Sequence, residues 1–191
     1  MTELFLVFIA ACLANNLILD HLLGISPVFA VSRSIETAIG MSMTMFLVLP
    51  VTTVFCYALN VFLLAPMELE FLQLLGFVII VSLLSLFIEK LLQKCRPALH
   101  EKITVFLPLL LVNVALVGVA LLDVQEKHGF VASLFFGMGS ALGFGIIVVI
   151  FTALRQRIVA ADVPTPFQGV SILLITLGII SMAFMGFTGI A

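Results

Sequence analysis

Residues 130–154 read FVASLFFGMGSALGFGIIVVIFTAL, twenty-five consecutive residues without a charge. Each helical residue advances about 1.5 Å, so about 20 apolar residues cross the roughly 30 Å hydrocarbon core of a bilayer. This stretch is therefore long enough to span a membrane. The whole chain is built the same way. Of its 191 residues 63% are hydrophobic and only 9% are charged, with a mean hydropathy of +1.38. A soluble domain carries roughly 25% charged residues, and eight Lys/Arg with ten Asp/Glu cannot coat a water-soluble globule of this size. In hydrocarbon, apolar side chains can face outward while helices satisfy their own backbone groups. The net charge of −2 offers no basic footprint for nucleic acid.

Beyond residues 130–154, five further runs qualify as spans: Leu4–Leu23, Thr37–Leu64, Phe71–Ile88, Ile103–Leu122 and Val170–Gly189. The expected fold is all-α, a polytopic membrane protein of six transmembrane helices in a single domain, 1–191. Met1-Thr2-Glu3 lacks the basic start of a cleaved signal peptide, so the first run is expected to be a retained span. Arg33 lies in the first loop, Lys90, Lys94, Arg96 and Lys102 in or beside the third, and Arg155 and Arg157 in the fifth. Only Lys127 falls in an even-numbered loop, so seven of eight basic residues share one side. The positive-inside rule makes that side cytoplasmic and sends both termini outside.

The two halves carry a weak internal echo. Asn16 is followed 24 residues later by Gly40-Met41, and Asn113 is followed 24 residues later by Gly137-Met138. At the same offset the third span overlays the sixth. Halves of about 1–94 and 98–191, each with an odd number of spans, form an inverted 3+3 repeat. Such repeats often build a site near the midplane from interrupted helices. Polar residues stand where this reading needs them: Asn15 and Asn16 in the first span, Pro108 and Asn113 in the fourth. They line a cavity or cap backbone groups between helices. Asp20 and His21 lie near a span end, where charged groups reach the interface.

Other patterns are weaker. Gly137, Gly139, Gly143 and Gly145 lie inside an apolar run with no preceding strand, so they read as close helix packing and not as a nucleotide loop. Met41, Met43 and Met45 read as packing. His100 and His128 are expected to be solvated loop histidines. Cys12, Cys56 and Cys95 are far apart, with no CxxC; they read as two buried thiols and one cytoplasmic thiol rather than a disulfide framework. No catalytic constellation is visible, so the chain alone does not read as an enzyme.

Several separated segments resemble the RnfA/NqrE family, and RnfA more than NqrE. They are Asn15-Asn16 with Leu23-Gly24-Ile25-Ser26-Pro27 and Ala30-Val31-Ser32; Phe106-Leu107-Pro108-Leu109 with Asn113; Gly118-Val119-Ala120-Leu121-Leu122; Ala161-Asp162-Val163-Pro164 with Phe167; and Ala183-Phe184-Met185-Gly186-Phe187. The resemblance covers essentially the whole chain. It implies a membrane subunit of an Rnf-type complex, or of the related sodium-pumping NADH:quinone oxidoreductase, coupling electron transfer to Na+ or H+ transport in the bacterial inner membrane. It further implies a homologous partner of opposite topology (RnfE/NqrD-like), other subunits carrying flavin and iron–sulfur clusters, and a [2Fe–2S] centre held by two cysteines from each member of the pair. Here the pattern breaks. Ser26 and Val114 stand where the resemblance calls for those cysteines, and neither suits a sulfur-ligated iron. No cofactor is therefore assigned to the chain. The alternative is a structural or transport-only subunit without a redox centre. The candidate mid-membrane or half-helix positions are Asn15, Asn16, Ser26, Asn113 and Val114.

Overall fold

A computed structural model describes residues 2–95 and 113–187, and every described element is helical. In chain order these are α1, Thr2–Ile9, continued by a π-helical turn Ala10–Ala14; α2, Ile25–Val31; α3, Ile35–Leu59, continued by a π-helical turn Asn60–Leu64; α4, Gln73–Cys95; α5, Val114–Gln125; α6, Phe130–Val159; and α7, Val170–Phe184. Short 3₁₀ turns, Glu70–Leu72, Thr165–Phe167 and Met185–Phe187, flank α4 and α7.

Among the described residues, four helices are long and apolar enough to cross a membrane: Ile35–Leu64, Glu70–Ile88, Phe130–Val159 and Val170–Phe187. They coincide with four of the expected spans, although α4 runs on to Cys95 and α6 to Val159. The first expected span, Leu4–Leu23, is not one helix: it stops at Ala14, turns, and resumes as α2. Of the fourth, residues 103–112 lie outside the described residues, Pro108 among them, and the described part is the short helix α5.

The long helices α3 and α6 pack along each other at the centre. Ser34 starts α3 by accepting the Thr37 N–H at 3.2 Å, with Glu36 in the first turn opposing the positive helix end. Pro50 interrupts its ladder, and Gly137 of α6 fits against that point: a methyl there would collide with Thr53 Oγ1 and stand 2.9 Å from Pro50 Cα. On another face of α6, a methyl on Gly139 would strike the Phe8 carbonyl oxygen, and one on Gly143 would stand 2.5 Å from that of Cys12. The glycines of residues 130–154 therefore seat α6 directly on the backbones of α1 and α3, as the close-packing reading requires.

The core of this arrangement is Met41, Met45 and Leu49 of α3 with Phe144, Ile147 and Phe151 of α6, all fully buried. Met43, by contrast, faces outward. Of its most apolar window, α6 buries 56%, whereas α4 and α7 bury 22% each. The two peripheral helices show Leu74, Leu75, Leu83, Leu174 and Ile179 to the outside, which suits a hydrocarbon surround.

Candidate functional site

Two chain breaks flank the α3–α6 pair. At the end of α1 the ladder loosens, and the Asn15 N–H reaches back to Ala10 O at 2.7 Å. The Asn16 side chain then does what the next turn of helix would have done. Its Nδ2 donates to Cys12 O at 3.0 Å, and its Oδ1 accepts the Ile18 N–H at 3.1 Å. Asn16 is 1% exposed. A buried, unpartnered backbone group is expensive, and this amide settles one at each of its ends. Asn15, its neighbour, points outward into a cavity of about 200 Å³ shared with Leu6, Val7, Glu126, His128 and Phe136.

The second break is Asn113. It N-caps α5, Oδ1 accepting the Ala115 N–H at 2.9 Å. Its Nδ2 lies 3.6 Å from Met45 Sδ on α3, a weak bond. Asn113 is also buried. The two breaks meet through Gly24, the N-cap of α2, whose φ of +82° favours glycine. A methyl there would stand 3.1 Å from Ala115 Cβ, 3.2 Å from the Phe144 ring and 3.7 Å from Asn113 Oδ1. The N-terminal ends of α2 and α5 thus abut.

The asparagines are placed crosswise. Asn16 leans on α6, its Nδ2 2.7 Å from where a Gly143 methyl would sit; Asn113 leans on α3 through Met45. Each packs against the long helix from the opposite half of the chain.

Ser26 is the second residue of α2 and Val114 the first of α5. Both face outward, Val114 with 61% exposure. The two positions where the family resemblance expects cysteines therefore lie beside abutting helix starts, on the outside of the chain. They do not fit a sulfur-ligated iron centre: one offers a hydroxyl, the other hydrocarbon. Cys12 and Cys56 are buried at other positions, and the Cys95 side chain lies outside the described residues. Among the described residues no group of three His, Cys, Asp or Glu could hold a metal ion.

Two interactions have no counterpart in the sequence reading. Arg155, near the end of α6, donates to Phe29 O at 2.8 Å and to Ser32 Oγ, closing the C-terminal end of α2 with a cation. The expectation of a solvated His128 fails. Its side chain is 13% exposed; Nδ1 lies 3.1 Å from Asp123 Oδ1 and Nε2 3.2 Å from Glu126 Oε2. The ring rests against Phe136 at 5.1 Å between centroids. The available signal was Asp123, a carboxylate at the end of an apolar run and five residues before a histidine. Asp20 and His21 are exposed, in keeping with an interfacial position, and His100 lies outside the described residues.

Residues 4–191 match the family described as Rnf-Nqr subunit, membrane protein. The chain is similar to the A-subunit of the ion-translocating oxidoreductase complex of Shewanella pealeana, 44% identical over 190 residues that cover 100% of this chain and 99% of that protein. It is 43% identical to the protein of the same name from Shewanella loihica, with the same coverage. To that of Pseudoalteromonas translucida it is 44% identical, covering 98% of the relative.

Proposed function

The chain belongs to the Rnf-Nqr family of membrane subunits, and we propose on that premise that it is the A-type membrane component of an ion-translocating oxidoreductase complex. In that role it helps couple electron transfer to Na+ or H+ movement. The observation that carries the reading is the likeness over the full length of relatives bearing that name. The abutting starts of α2 and α5 add a structural reason, since they hold Ser26 and Val114 at the outer surface where a second membrane protein can reach them.

The reading includes six spans in one membrane domain with an inverted repeat, halves about 1–94 and 98–191. The crosswise asparagines and the pairing of α3 with α6 support it. It includes a bacterial inner-membrane location with both termini periplasmic, supported by the basic loops. The partners are a homologous membrane subunit of opposite topology (RnfE/NqrD-like) and the flavin- and cluster-bearing subunits of an Rnf-type complex.

Ser26 and Val114 favour one variant of this role. A membrane component with no thiolate at either position contributes packing and the ion path, not a half-share of an iron centre. Affinity purification of the tagged chain from its native membrane tests the assignment. Recovery of the flavin- and cluster-bearing subunits is expected. A chain that purifies alone from gently solubilised membranes, and moves ions alone, contradicts it.

A further inference from the structure

The end of α5 holds a carboxylate that takes no part in either chain break. Asp123 is 1% exposed, and its Oδ2 has no hydrogen-bond partner. Ser133 of α6 stands beside it, and its one hydroxyl proton serves either the Asp123 carboxylate or Gly129 O, which lies 3.2 Å from Oγ. Among the described residues, Cys56 of α3 and His128 and Glu126 of the α5–α6 loop are the titratable groups that act on Asp123, and Cys56 packs with the apolar Phe77 of α4. A buried carboxylate with so few donors is costly to keep ionised, and binding a proton discharges it.

A route for that proton is built in. Glu126 is about half exposed, with 45% of its side chain open. Its Oε2 meets His128 Nε2 at 3.2 Å, and Nδ1 on the far side of the ring meets Asp123 Oδ1 at 3.1 Å. Three groups thus bridge the open surface and the buried carboxylate, each within direct transfer distance of the next. Glu126 and His128 also line the cavity of about 200 Å³ that runs along α1 to Asn15 at the first chain break.

We propose that Glu126, His128 and Asp123 form a proton relay that loads a buried carboxylate at the loop end of α5. The step moves one proton and no electrons. Glu126 takes a proton from water and passes it to Nε2 of neutral His128. The imidazolium releases its Nδ1 proton to Asp123, leaving a neutral ring with its proton on Nε2 and a neutral carboxylic acid. Unloading is the reverse. The relay is a property of this chain and stands whether or not the complex assignment holds.

Infrared spectroscopy of the full chain in lipid nanodiscs tests it, with the proton as the probe. Lowering pH should raise a carboxylic-acid carbonyl band that is absent in Asp123→Asn, an isosteric change. After a pH jump, His128→Gln should slow growth of that band by ~100-fold, the scale of a positioned proton-transfer group. Glu126→Gln, at the surface and safe for folding, should slow it in the same direction. A band that persists in Asp123→Asn, or loading at the wild-type rate in both Glu126→Gln and His128→Gln, overturns the proposal.

Discussion

Asn16 and Asn113 make the same bond 97 positions apart: each Oδ1 accepts the N–H two residues on, Ile18 at 3.1 Å and Ala115 at 2.9 Å. The remaining half of each amide then diverges. Asn16 Nδ2 closes the end of α1 by reaching Cys12 O, whereas Asn113 Nδ2 turns to Met45 Sδ. One residue type thus closes a helix end in one place and begins a helix in the other, because an amide carries both an acceptor and donors.

Replacing either asparagine with Leu should destabilise the chain by about 1–2 kcal/mol, the scale of a lost cap or an orphaned buried backbone group. Asn113→Asp keeps the accepting oxygen and should lose less than Asn113→Leu. Leu83→Ala, on the outer face of α4, is the control. Thermal melting in detergent reads the order.

The glycines separate into two classes. Gly139→Ala and Gly143→Ala force a methyl into the α1 backbone and should each cost about 1–3 kcal/mol. Gly178 of α7 has open space around it, so Gly178→Ala should be neutral or stabilise by up to ~1 kcal/mol. Melting temperatures that fall equally at all three positions contradict the packing described for α6.

Arg155 ties α6 to α2, and a charged hydrogen bond is worth about 1.5–3 kcal/mol. Arg155→Met should lower stability by about that amount. The same contact sets the ends of α2 and α6 side by side, on the face that the proposed orientation puts in the cytoplasm. A reporter active only in the cytoplasm, fused after Ala191, should be silent, and strong activity there reverses the orientation.

The long runs were legible because hydrocarbon demands uninterrupted apolar helix, so α3, α4, α6 and α7 follow from composition alone. The breaks were half legible. Asn15 and Asn16 announced polar groups inside an apolar run, but hydropathy averages over such a pair, and the run Leu4–Leu23 read as continuous. Nothing in the sequence indicated that Gly24 would bring the starts of α2 and α5 together, since that contact joins residues about 90 positions apart. His128 was misplaced for a related reason: a loop histidine reads as solvated unless the fold of the loop over Asp123 is known. Ser26 and Val114 were placed by resemblance, and the structure adds that both face outward.

Iron analysis with electron paramagnetic resonance, on the purified chain and its membrane partner, decides whether this chain shares an iron centre. With Ser26 and Val114 at the two ligand positions, an assembled pair without the ordinary four-cysteine [2Fe–2S] signal is expected. A [2Fe–2S] signal from the assembled pair that disappears when Cys12, Cys56 and Cys95 are replaced would contradict this, because this chain would then supply thiolates to the centre.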